Sequence, residues 1–232
     1  MGVNRTVHDD DGRHHPSAIW ARDFFCVQTI TFRTLYVFFV IHHASWEVLH
    51  VNVTPHPTAE WAAQQIVECC GWDRVPPRFL VHDRDACYGT SFDRRVRNLG
   101  IAQARTPFRS PRANAIAERW VRSVRIECLD HVFIFNERHL QKVLGEYVGY
   151  FNHWRPHRSI GQRAPCAPAT SAPRRSAQGR KIIAIPVLGG LHHDVVDQIL
   201  APYRPRNRIA MCRDGGRLAA SSRHKIAKTN YM

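Results

Sequence analysis

Hydrophobic positions fall into short strand-like runs before residue 55 and into helix-spaced faces after it. Residues 1–18 are polar and aperiodic and predict an unstructured leader. Phe24, Phe25, Val27 and Ile30 then form a first run, opened by Asp23. Residues 34–41 are aromatic and β-branched, and Trp46, Val48, Val51 and Val53 alternate with polar neighbours. Three short strands with little between them predict an antiparallel meander. Thr58 is placed to cap a helix through Cys70, with Ala59, Ala62, Ala63, Ile66 and Val67 on its apolar face and Gly71 at its end. Residues 79–82 read as a buried strand, and 91–99 as a small helix stopped by Gly100. Residues 101–104 read as a further strand and 106–113, with Pro107 and Pro111, as a loop. Helices are predicted over 114–129 and 136–151. In the second, Leu140, Val143, Leu144, Tyr147 and Phe151 make a core-facing stripe. The order implies an α/β or α+β layout with helices on a mixed sheet.

Beyond Pro156 the composition shifts to Pro, Arg, Ala and Ser, with one apolar patch at 182–191. The formal net charge of +14 is concentrated there: residues 1–155 carry 19 basic and 16 acidic side chains, and residues 156–232 carry 14 and 3. A basic tail on a near-neutral core suits a polyanion, nucleic acid being the usual one, or a solvated extension without a specific target. The longest apolar run, 35–41, is far below the roughly 20 residues of a membrane span. With no signal-peptide pattern, a cytoplasmic protein is expected. The seven cysteines show no Cys-x-x-Cys pair, which disfavours a disulfide framework or a zinc site. Adjacent histidines such as His42-His43 point to opposite sides of an extended chain and chelate poorly.

The candidate chemistry lies in acids at the ends of apolar segments. Asp23 precedes Phe24-Phe25, Asp83 follows 79–82, and Glu118 lies early in the long helix. A carboxylate beside a hydrophobic core is costly unless solvated, paired or metal-bound. Singly, each reads most simply as a solvated or capping acid. Together they could converge on Mg²⁺, which takes few carboxylates and leaves room for phosphate and water.

The ordered motifs go further. Asp23-Phe24-Phe25, the run 35–41, His82-Asp83-Arg84-Asp85 and Tyr88-Gly89 resemble the integrase core of bacterial insertion-sequence transposases. So do Thr106-Pro107, the stretch 109–119 ending in Ala117-Glu118-Arg119, 127–131, Tyr150-Phe151-Asn152 and Arg155-Pro156-His157. The resemblance covers residues 20–168. It implies a ribonuclease-H-like mixed sheet flanked by helices, within the retroviral-integrase superfamily, followed by a basic, mostly irregular tail. The implied division is a leader at 1–18, a catalytic core at 19–168 and an extension at 169–232. The implied catalytic and metal-binding triad is Asp23, Asp83 and Glu118, holding two Mg²⁺ or Mn²⁺ ions and joining transposon 3′ ends to target DNA. Thirty-four residues separate Asp83 from Glu118, which fits the family's spacing; Asp85 would leave 32 and is the reserve for the second acid. Relatives imply a homo-oligomer on DNA, nucleoid-associated when bound.

Arg122 and Arg125 follow Glu118 by one and two helical turns and are placed for phosphates, or form a solvated face. Arg109 and Arg112 in the preceding loop carry the same two readings. Asn114 caps the helix or holds the loop, Trp120 and Val124 face the core, and His82 is a packed core histidine rather than a base. Complete transposases of this group resemble a helix-turn-helix region followed by the core, whereas here the core motifs start near residue 20. Residues 186–194 resemble the usual end of such proteins, and the sequence from 196 matches no pattern. The expectation is a truncated or frame-shifted copy, whose alternative function is to bind DNA without catalysis.

Overall fold

The computed structural model describes residues 16–71, 74–83, 89–105, 114–167 and 182–197. A short 3-10 turn, Pro16–Ala18, leads into β1 (Ile19–Gln28), β2 (Thr34–His42) and β3 (Val48–Thr54), the antiparallel meander. Helix α1 (Ala59–Cys70) follows, then β4 (Phe79–His82), α2 (Thr90–Asn98) and β5 (Ala102–Arg105). Strands β4 and β5 run parallel to β1 on its other side, giving the five-stranded order β3-β2-β1-β4-β5. Helices α3 (Ala115–Glu127) and α4 (Glu137–His153) complete the core, and β6 (Ile182–Val187) pairs with β7 (His192–Asp197) as a separate hairpin.

Strand alternation sorts the core into two layers. Trp20, Phe38, Val40 and Leu80 pack with α1 and α2. Ala21, Phe25, Val37, Phe39 and Ile41 pack with α3 and α4. β2 is buried on both faces from Val37 to Ile41, which explains why its sequence is a continuous apolar run. Trp120 seats α3 on the sheet: its ring centroid lies 4.3 Å from that of Phe39 and 5.8 Å from that of Phe25.

Thr58 caps α1 by accepting from the Trp61 amide (3.1 Å), and Gly71 closes it with φ 55°. Gly100 takes φ 77° after α2, a conformation that costs a residue with a Cβ. The first strand departs from expectation. It starts at Ile19, so Asp23 sits in mid-strand rather than at the opening. The cause is Arg22, which breaks the apolar pattern yet is fully buried, its guanidinium 4.2 Å from the Phe92 ring centroid on the α1/α2 side. Such a cation–aromatic contact is strengthened by desolvation.

The edge strand β3 is tied to α4 by one side chain. Asn152 Oδ1 accepts from the Val48 amide and Nδ2 donates to the Val48 carbonyl, both at 2.9 Å and both buried. This covers the backbone where the β2–β3 register shifts and blocks edge pairing there. Asn152→Leu strands an amide and a carbonyl. The expected loss is about 1–3 kcal/mol for each buried group left unpaired, read by urea denaturation; an unchanged midpoint contradicts the assignment.

Candidate active site

Asp23 is half-buried in β1, opposite Phe39 of β2 and on the α3/α4 side with Ala21 and Phe25. One carboxylate oxygen, Oδ1, accepts from the amide of Phe24 (2.8 Å), which fixes the rotamer. Glu118 occupies the first turn of α3 and is exposed. Both acids line one open groove of about 430 Å³, with Arg122, Arg125 and Asp130 as its other polar walls and Phe24, Val121 and Ile126 as its apolar ones.

Asp83 stands immediately after β4. The last β1–β4 pair is Ala21 with Val81, and Asp23 and Asp83 are each two residues further on. Extended two residues past that rung, the parallel register brings Asp23 and Asp83 to the same end of the sheet, with Asp83 just beyond β4. Asp83 itself is half-buried and is not among the groove's lining residues. Among the described residues no three His, Cys, Asp or Glu side chains are gathered closely enough to hold a metal ion. Asp85, Arg109 and Arg112 lie outside the described residues.

The structure gives His82 a definite task. It is buried beside Phe92, its Nδ1 donates to the Asp83 carbonyl (2.7 Å), and Nε2 lies 3.2 Å from Gln103 Oε1. The imidazole therefore pins the backbone of Asp83 from the opposite sheet face. Asn114 makes no side-chain cap on α3. Its Nδ2 instead reaches the Arg22 carbonyl at 3.5 Å, linking the start of the helix to the residue before Asp23. Of the two arginines, Arg125 also donates to the Cys26 carbonyl (2.9 Å) and lies over Phe25, which holds its guanidinium along β1. Asp130 is a groove acid that sequence reasoning left without a role; its signal was weak because it falls in the 3-10 turn after α3 rather than on a helix face.

Motif residues beyond Glu118 prove to be scaffold. Arg155 Nε donates to both Glu127 oxygens (3.1 and 2.8 Å), and the Tyr147 hydroxyl donates to Glu127 Oε2 (2.9 Å). The β6–β7 hairpin docks here: His192 Nε2 donates to the Glu127 carbonyl (2.7 Å) and its ring stacks on Tyr150 with centroids 4.4 Å apart. This ties the end of α3, the end of α4 and the hairpin together.

Comparison with known proteins adds to that geometry. Residues 99–165 match the integrase core domain family. The matched stretch, which includes Glu118, is similar to that family's core. The chain is 31% identical over 84 residues to transposase InsD for insertion element IS2D of Escherichia coli strain K12, covering 36% of this chain and 28% of that relative. The figures are the same for transposase InsD for insertion element IS2A/D/F/H/I/K of Escherichia coli. The chain thus spans little more than a quarter of these relatives' length. A chain of the simian T-cell lymphotropic virus intasome, in complex with PP2A regulatory subunit B56 gamma, superposes with a TM-score of 0.55 at 13% identity, over 75% of this chain and 64% of that one. The fold is ribonuclease-H-like, a mixed sheet flanked by helices. Among the described residues no helix is long and apolar enough to cross a membrane.

The Glu127 network sets an acid limit on the fold. Burial alone raises the Glu127 carboxyl, but hydrogen bonds and charge from Arg155, with Tyr147, bring it below its ordinary value of 4.5. A lowered folded-state value stabilises the fold above pH 4.5 and loses that contribution as pH falls through the folded value. Glu127→Gln is expected to melt lower at neutral pH and to lose less stability between neutral and acid pH than the parent. Parallel melting curves against pH contradict this.

Proposed function

We propose that the groove between β1 and α3 is the active site for joining transposon 3′ ends to target DNA, with Asp23, Asp83 and Glu118 as its catalytic carboxylates. The observation that carries this reading is the convergence of Asp23 and Glu118, with Arg122 and Arg125, on one open groove; the integrase-core match over residues 99–165, which hold Glu118 and both arginines, supports it. The register of β1 and β4 supports adding Asp83.

An all-carboxylate donor set suits the hard ions Mg²⁺ or Mn²⁺ rather than zinc or copper. Asp23, Asp83 and Glu118 would hold them, two in number. Bound there, such ions supply Lewis-acid stabilisation of the attacking and leaving oxygens in an in-line displacement. In that reaction a 3′ hydroxyl oxygen bonds to a target phosphorus, the P–O3′ bond of the target strand breaks, and the hydroxyl proton passes to solvent. No covalent enzyme intermediate arises. The chain's own contribution is positional. Asp23 is held by the Phe24 amide and Asp83 by the His82 contact to its carbonyl. Arg122 and Arg125 place phosphates without reading sequence, and Arg109 and Arg112 extend the DNA track. The core spans 19–168, and the basic extension 169–232 adds sequence-independent affinity that keeps the protein nucleoid-associated while bound. By analogy with its relatives the protein acts as a homo-oligomer on DNA.

A second reading, a core that binds DNA without catalysis, is favoured by the position of Asp83 outside the groove's lining residues. Incubation with a branched DNA that mimics the joined product, in Mn²⁺ or in EDTA, separates the two. Metal-dependent cleavage and rejoining is expected, reduced by at least about 100-fold in Asp83→Asn, on the scale of losing one catalytic group, and retained in Asp85→Asn. Loss in Asp85→Asn alone reassigns the second acid. No reaction from folded, DNA-binding protein in either metal overturns the catalytic reading.

A further inference from the structure

The β1–β2 turn displays an aromatic ring in an unusual way. Phe32 is 88% exposed and sits at φ 59°, the left-handed region that a bulky residue enters at a cost. The turn is nevertheless well determined. The Thr29 amide donates to the Arg33 carbonyl, the Phe32 amide to the Thr29 carbonyl, and the Arg33 amide to Thr29 Oγ1, all within 3.0 Å. The two threonine hydroxyls, Thr29 and Thr31, bond each other. A strained residue held by this many hydrogen bonds points to a use for its side chain.

The turn is also joined to the segment before α4, because the Ile30 amide donates to the Ile134 carbonyl at 2.8 Å. Ile134 is buried, while its neighbours Phe133 and Phe135 are 80% and 56% exposed. Three exposed phenylalanines therefore come from two segments that are hydrogen-bonded together. Asp130, three residues before Phe133, is a wall of the carboxylate groove. Two arginines stand on the β1–β2 side: Arg33 follows Phe32 and is exposed, and Arg125 runs from the groove along β1 to Cys26, near the strand's turn end.

We propose that Phe32, Phe133 and Phe135 form a stacking platform for unpaired bases of a DNA strand leaving the groove. Aromatic rings interleaved with arginines bind single strands through base stacking and phosphate contact, without reading sequence. Exposed Arg33 beside Phe32, and Arg125 towards the turn end of β1, suit a phosphate backbone better than an apolar partner. This inference rests on the reading of the groove as a DNA site and deepens it.

The test measures binding by fluorescence anisotropy, in EDTA, of a blunt duplex and of the same duplex with a single-stranded overhang. The protein is expected to prefer the overhang by about 5- to 100-fold, the range for stacking one base. Phe32→Asn with Phe133→Ser is expected to abolish that preference and leave blunt-duplex affinity unchanged. Asn tolerates φ 59°, so this variant is expected to melt no lower than the parent. Phe133→Trp, which keeps a stacking ring, is expected to retain the preference. Equal affinity for the two DNAs in the parent overturns the platform alone. A parent dimer by sedimentation that the double variant dissociates, with overhang preference intact, assigns the patch to a second copy and overturns the proposal. Failure to bind either DNA overturns the underlying DNA reading as well.

Discussion

The arrangement depends on the packing of Trp120 against Phe39 and Phe25. This contact presses α3 onto the centre of the sheet. Glu118 lies two residues before Trp120 on the helix, and Asp23 two residues before Phe25 on the strand, so the apolar contact fixes where the two acids stand. Burial and edge-to-face packing of rings this size are worth several kcal/mol. A groove-side acid in the middle of a central strand needs such a frame, because the strand cannot shift to solvate it without unpacking both helix layers.

The other motif residues support that frame. Asn152 locks α4 to the edge strand through the backbone of Val48. Glu127, Arg155 and Tyr147 hold the far ends of α3 and α4 together, and His192 brings the β6–β7 hairpin onto the same cluster. On the opposite face, His82 secures the backbone of Asp83. The carboxylates thus occupy the end of a scaffold whose polar residues mostly bond to backbone and to each other, leaving the groove open between β1 and α3.

Much of this was legible in the chain. The alternation of β1 to β3, the Thr58 cap and the Gly100 stop each express a local rule that the tertiary fold does not override. The start of β1 was not legible, because a fully buried Arg22 looks polar in sequence and becomes a core residue only against Phe92. Asn114 looked like a cap, yet its amide turns to β1, a choice set by the nearness of the Arg22 carbonyl rather than by the helix. The β6–β7 hairpin was visible only as an apolar patch, since β7 begins His-His-Asp and shows no strand alternation. The placement of Asp23 and Glu118 on one groove was implied by resemblance alone; no spacing rule links a strand and a helix about ninety residues apart.

The central claim is that Asp23 and Glu118 belong to one metal-holding groove. Mn²⁺ titration followed by the electron paramagnetic resonance of the free ion tests it without requiring DNA or turnover. Asp23→Asn and Glu118→Gln are each expected to weaken Mn²⁺ binding by roughly 10-fold or more. The double variant is expected to bind about as poorly as the weaker single one, because both changes empty the same site. Mn²⁺ affinity unaltered by either substitution, in protein that melts like the parent, would contradict the claim.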